Sequence, residues 1–86
     1  MKELEKSLKA LANRRRLAIL KYLKQNKEAS VSEIAGEIHL SLKATSKHLG
    51  VLAASDIVER DQRSLQMFYR ISRDQKSAVR RILSLL

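Results

Sequence analysis

Between Ser30 and Ser55 the apolar residues run in two short helical rhythms with almost nothing between them. Ile34, Ala35 and Ile38 recur at helical spacing, the pattern stops over His39-Leu40-Ser41, and Thr45, Leu49, Leu52 and Ala53 restart it along one side of a second helix. The break has room only for a turn. Ser32 is placed to cap the first of these helices and Ser41 the second, which runs from Ser41 to about Ser55. Two short helices joined by a tight turn make a helix-turn-helix.

The wet side of the second helix carries Lys43, Ser46, Lys47 and Gly50 and no acid. A helix that only packs would mix Glu and Lys there. Ser41 and the first backbone N–H groups can hold a phosphate, and Lys43 and Lys47 can reach phosphates or a guanine edge. Ser46 can meet an acceptor, and Gly50 lets the helix sit close. A solvated basic face is the plain alternative; the turn before the helix and the hairpin after it favour DNA, because together they supply a docking frame.

From Ile57 the pattern changes to two β-prone runs, IVERDQR and QMFYRIS, separated by a polar tip at Arg63-Ser64-Leu65. Arg60, Arg63 and Gln66 lie at or beside the tip of this hairpin, placed to straddle a minor groove or its phosphates. An edge hairpin kept soluble by charge is the competing reading.

The ends of the chain are amphipathic. Leu4, Leu8 and Leu11 stripe a first helix over residues 2–12, and Asn13 can cap a second with Leu17, Ile19, Leu20 and Leu23 on its core side. Arg14, Arg15 and Arg16 crowd the first turn of that second helix, where cations oppose the helix dipole. A salt bridge to an acidic neighbour is expected to offset this, with a phosphate as the alternative. Ala29-Ser30-Val31 is a short strand. A last helix over residues 73–86 carries Val79, Ile82, Leu83 and Leu86, whose natural partner is the Leu4/Leu8/Leu11 stripe, in the same subunit or across a dimer axis. The fold class is mainly α with a small β hairpin, a single winged helix-turn-helix domain over residues 1–86.

Composition narrows the function. Eighteen Lys and Arg against nine Asp and Glu give a net charge of +9, which favours polyanionic partners. Without cysteine, disulfides, thiolate metal sites and thiol redox sensing are excluded. No apolar run suggests a membrane span or signal peptide, so a soluble, cytoplasmic protein is expected. An 86-residue chain also leaves much of its surface exposed, which makes help from a second subunit natural. No phosphate loop, catalytic carboxylate pair or nucleophile motif supports an enzyme.

The stretches ALANRRRLAILKYL, SVSEIAGEIHLSLKATSKHLGVLAASDIV and FYRIS, in this order, resemble the ArsR/SmtB family of winged helix-turn-helix transcriptional regulators. The resemblance implies a homodimeric repressor whose fourth helices enter successive major grooves of a pseudo-palindromic operator in double-stranded DNA. It places DNA-facing residues at Ser41, Leu42, Lys43, Thr45, Ser46, Lys47 and His48, with the wing at Arg60, Arg63 and Gln66. It places the dimer interface on the terminal helices, at Leu4, Leu8, Leu11, Val79, Ile82, Leu83 and Leu86. Departures from the family pattern are His39 and Ser64 where glycine is usual, Arg14 where proline is common, and Leu42 where a polar residue is usual. His39 is accordingly expected in a left-handed conformation. Leu42 either touches a thymine methyl or packs inward.

Many ArsR-like proteins release DNA on binding a metal, through cysteines on the third helix or a carboxylate and histidine set on the last. Here there is no cysteine, Lys76 stands where a histidine ligand would be needed after Asp74, and His39 and His48 are too few for a zinc site. No metal or cofactor is expected; an unidentified effector or constitutive binding remains. The alternative function is a protein-interaction or nonspecific nucleic-acid-binding module without an operator.

Overall fold

The computed structural model describes residues 1–86. Five helices and three strands follow in the order α1 (Lys2–Leu11), α2 (Arg14–Asn26), β1 (Ala29–Ser30), α3 (Val31–Ile38), α4 (Leu42–Ala54), β2 (Val58–Arg63), β3 (Gln66–Ile71) and α5 (Ser77–Ser84). The strands form one antiparallel sheet in the order β1-β3-β2.

Local chemistry sets most boundaries. Asn13 sits in an extended conformation, and its side-chain oxygen accepts from the backbone N–H groups of Arg15 and Arg16, which starts α2. Ser41 does the same for α4 by accepting from the Ala44 N–H at 3.1 Å. His39 ends α3 in the left-handed conformation, φ 56° and ψ 50°, as its place in the turn requires.

Two boundaries differ from the sequence expectation. The cap of α3 is Ser30, not Ser32: Glu33 returns a hydrogen bond to the Ser30 N–H at 2.8 Å while the Ser30 hydroxyl accepts from the Glu33 N–H at 3.2 Å. A box on Ser32 would need its reciprocal acceptor at Ala35, which has none. The last helix begins at Ser77, not at residue 73, because Gln75 donates to the carbonyls of Ile57 and Ser72 and ties the segment leaving β3 to the start of the wing.

One core joins every helix to the sheet. Ile19, Leu20 and Leu23 of α2 meet Ile34 of α3, Leu49 and Leu52 of α4, and Ile57, Val58 and Tyr69 of the hairpin. Leu49 and Leu52 are fully buried, so they fix the roll of α4 about its axis; truncating either to Ala would cost about 2–5 kcal/mol. The same core takes Leu11, Val79 and Leu83. That corrects their assignment to an intersubunit face: already buried within one chain, these three side chains have almost no surface left for a partner. Leu4, Ile82 and Leu86 are left half-buried and Leu8 exposed.

Candidate nucleic-acid interface

With Thr45, Leu49 and Leu52 against the core, the opposite side of α4 is open to solvent. Leu42, Lys43, Ser46, Lys47 and Gly50 are all exposed, as is the capping Ser41. Neither lysine has an ion-pair partner within the chain. A side chain added at Gly50 would meet nothing within 4 Å, so only something docked on this face could be sensitive to it.

One residue of the resemblance leaves the interface, and a second turns one ring nitrogen inward. Thr45 is 0% exposed, and its hydroxyl is enclosed without a hydrogen-bond partner. It anchors α4 and cannot touch DNA. His48 is half-buried, and its Nδ1 lies 3.2 Å from a guanidinium nitrogen of Arg16. Since Arg16 can only donate, Nδ1 accepts and the ring proton sits on Nε2. Burial, then the charges of Arg16, Arg15 and Lys47, hold the imidazole below its ordinary pKa, so it is neutral at neutral pH.

Arg16 is legible in the sequence only as part of an awkward cluster. Its guanidinium donates to the carbonyls of Lys9 and Ala10 as well as bonding His48, joining α1, α2 and α4 at one point. The expected salt bridge is absent: no carboxylate pairs with Arg14, Arg15 or Arg16. The cation that opposes the α2 dipole sits instead on the carbonyl end of α1, where a positive charge is favourable. Arg14 and Arg15 remain exposed and line an open groove of about 740 Å³ with Lys21 and His39.

In the wing, Arg63 pairs with Gln66 across the last rung, and Ser64 takes φ 57° at the tip where glycine is usual. Strand alternation puts Val58, Arg60, Met67 and Tyr69 on the face turned toward the helices. Glu59, Asp61, Arg63, Phe68 and Arg70 lie on the other. Arg60 thus borders the cleft beside Gly50 and Ala53 of α4. Arg63 does not join it. Its guanidinium makes a two-pronged contact with Glu28 at 2.6 and 2.9 Å, reaches Asp61 at 3.0 Å and lies 4.6 Å from the centre of the Phe68 ring. That hydrogen-bonded partnership holds the Glu28 carboxyl below its usual range. The sequence shows three wing cations without showing which are taken, because Glu28 is 35 residues away from Arg63. Gln66 is exposed and shares a crevice with Leu42 and Ser46.

A turn-linked pair of helices, a free polar and cationic face on the second, and a hairpin beside it define a winged helix-turn-helix DNA-binding domain. A helix-turn-helix domain model matches residues 11–61. The transcriptional activator HlyU of Vibrio cholerae is 38% identical over 76 residues, which cover 88% of this chain and 69% of that protein. The solved structure of reduced HlyU superposes with a TM-score of 0.82 at 36% identity, over 98% of this chain and 84% of the other. A homodimeric winged helix-turn-helix DNA-binding domain from Mycobacterium bovis, a possible ArsR-family regulator, gives a TM-score of 0.83 at 33% identity, over 98% and 74% of the two chains. The antimony-specific repressor AntR gives 0.80 at 29% identity, over 96% and 72%. The chain belongs to the ArsR-type winged helix-turn-helix transcriptional regulators. No helix in it is long and apolar enough to cross a membrane, and no three metal-ligating side chains cluster.

Proposed function

We propose that the protein regulates transcription as a homodimer that binds a pseudo-palindromic operator, with one α4 in each of two successive major grooves. The observation that carries this reading is the acid-free exposed face of α4, whose lysines have no partner in their own chain. Lys43 and Lys47 reach phosphates or guanine edges. Ser41 and the first N–H groups of α4 hold a phosphate, and Ser46 approaches an acceptor. From the wing, Arg60 and Gln66 reach the flanking backbone.

Leu4 and Leu8 of α1 with Ile82 of α5 and Leu86 just beyond it form the dimer contact, since these are the stripe residues that the core leaves at least partly exposed. AntR is named a repressor and HlyU an activator. Repression is the simpler outcome for this chain, because a dimer seated on its operator keeps other proteins off the same stretch of DNA. It acts as a binding protein in the prokaryotic cytoplasm, not as an enzyme.

Binding to genomic fragments at graded salt tests the reading. A preferred site with two half-sites about one helical turn apart and a steep salt slope is expected. Equal competition by random DNA would sink it. Sedimentation should give twice the 9.8 kDa chain mass, and Leu8→Glu should lower that mass while leaving the helical content intact. A monomeric wild type would remove the two-half-site geometry.

A further inference from the structure

The first residue of α4 is a leucine that the chain leaves more than half uncovered. Leu42 is 57% exposed in the helical turn that leads the recognition face, flanked by Ser41 and Lys43. Across a crevice of about 290 Å³ stands a second exposed leucine, Leu65 at the wing tip, 97% exposed, with Ser46 and Gln66 also in the lining. Leaving an apolar side chain of this size in water forgoes the stabilisation that burial would bring, so a docked apolar group would gain by covering it.

The surroundings say what that occupant is. Lys43, Ser46 and Lys47 share the exposed side of α4 with Leu42 and leave no carboxylate there, so the face complements a polyanion. On the edges of base pairs in the major groove, the apolar group is the C5-methyl of thymine. The N-terminal residues of a recognition helix are those that meet base edges. Leu42 can make no hydrogen bond, so against guanine, cytosine or adenine it would desolvate amino, carbonyl or ring-nitrogen groups without giving them a partner.

We propose that Leu42 reads the methyl group of one thymine in each half-site and sets the preference for an A·T pair at that position. The proposal rests on the operator reading above and names part of the sequence that the operator must contain. Leu65 stands at the wing tip and not on the recognition helix, and it takes no part in reading the methyl.

The test uses a site selected by the wild-type protein, resynthesised with each thymine in turn replaced by deoxyuridine, which pairs identically and lacks only the methyl. At one position per half-site, wild-type affinity should fall roughly fourfold, and by roughly tenfold or more when both half-sites are changed. Leu42→Ala should bind the thymine and deoxyuridine duplexes equally at that position, while Leu65→Ala should keep the wild-type discrimination. A preferred site at which no deoxyuridine replacement separates wild type from Leu42→Ala overturns the proposal and leaves the operator reading standing. Absence of any preferred site overturns both.

Discussion

The recognition helix and the wing carry similar cations in opposite states. On α4, Lys43 and Lys47 have no carboxylate partner and there is no acid on the helix. In the wing, Arg63 is held by Glu28 and Asp61, Arg70 is held by Glu59 at 3.0 Å, and only Arg60 is unpaired. The difference lies in architecture. Acids lie among and beside the wing cations: Glu59 faces Arg70 across the strands, Asp61 meets Arg63 from the same strand, and Glu28 reaches Arg63 from just before β1, so the wing can neutralise most of its own charge. A helix without acids cannot. Charge that is already paired has less to offer a phosphate, because the neighbouring carboxylate cancels much of its attraction and repels the phosphate itself. Affinity for the DNA backbone should therefore be concentrated on α4, with the wing held in shape beside it.

The largest effect expected from this contrast is loss of binding when both lysines are removed. Lys43→Ala with Lys47→Ala deletes up to four phosphate contacts per dimer, and the slope of log K against log salt should become shallower by about 0.9 for each phosphate no longer neutralised. At moderate salt the affinity should fall roughly a hundredfold or more. Arg63→Ala should leave the slope near the wild-type value and show its effect as a less stable wing. Equal slope changes in the two variants would erase the distinction between the regions.

Gly50 probes how closely α4 approaches its target. Replacing it with Ala adds a methyl to an empty part of the surface and a better helix former to the helix, so stability should rise by about 1 kcal/mol. DNA affinity should move the other way, by less than in the double lysine variant. A gain in both would place Gly50 outside the protein–DNA interface.

Glu28→Gln converts one region toward the other. It removes the two-pronged partner of Arg63 and leaves only the Asp61 contact, and the salt slope should steepen by up to about 0.9 for each phosphate newly neutralised. Acid loosens the same contact below the ordinary Glu value, since the Arg63 hydrogen bonds lower the Glu28 pKa. The ion pair's contribution to stability is present above the unfolded-state value near 4.5 and is lost as pH falls through the depressed folded value. A salt slope unchanged in Glu28→Gln and still unchanged when Asp61→Asn is added would mean that the Arg63 side of the hairpin faces away from DNA altogether.

The sequence shows α4 clearly and the wing poorly, for the same physical reason. Helical periodicity is local: once Thr45, Leu49 and Leu52 mark the buried side, the exposure of Lys43, Ser46 and Lys47 follows from the 3.6-residue repeat. Leu42 is undecided in the sequence because it lies at the edge of that repeat, and only the packed structure shows its side chain uncovered. Long-range polar partners carry no such signal. Nothing near Arg63 points to Glu28, and nothing near Arg16 points to the carbonyls of Lys9 and Ala10. The terminal stripes hold the right residues with their destinations merged, since periodicity marks Leu8 and Leu11 alike as apolar without saying which core each one enters. Ser30 hides as a cap because its neighbours mark it as strand, although Glu33 three residues on is the capping-box partner.

The smallest effect tests whether the back of α4 is held as the wing is held, by an arginine committed inside the chain. Arg16 bonds His48 through an acceptor that exists only while the imidazole is neutral. The folded-state pKa of His48 lies below its ordinary value of 6.5, so the unfolded chain binds the proton first as pH falls. The stabilisation is therefore complete above about pH 6.5 and is lost as pH falls through the depressed value. Wild-type Tm should drop between about pH 7 and pH 5 by more than that of His48→Asn, whose amide oxygen can accept from Arg16 and does not titrate. Parallel Tm profiles would mean that the Arg16–His48 hydrogen bond contributes nothing to stability. The free face of α4 would then be positioned by Thr45, Leu49 and Leu52 alone, with no counterpart to the arginine clamp that shapes the wing.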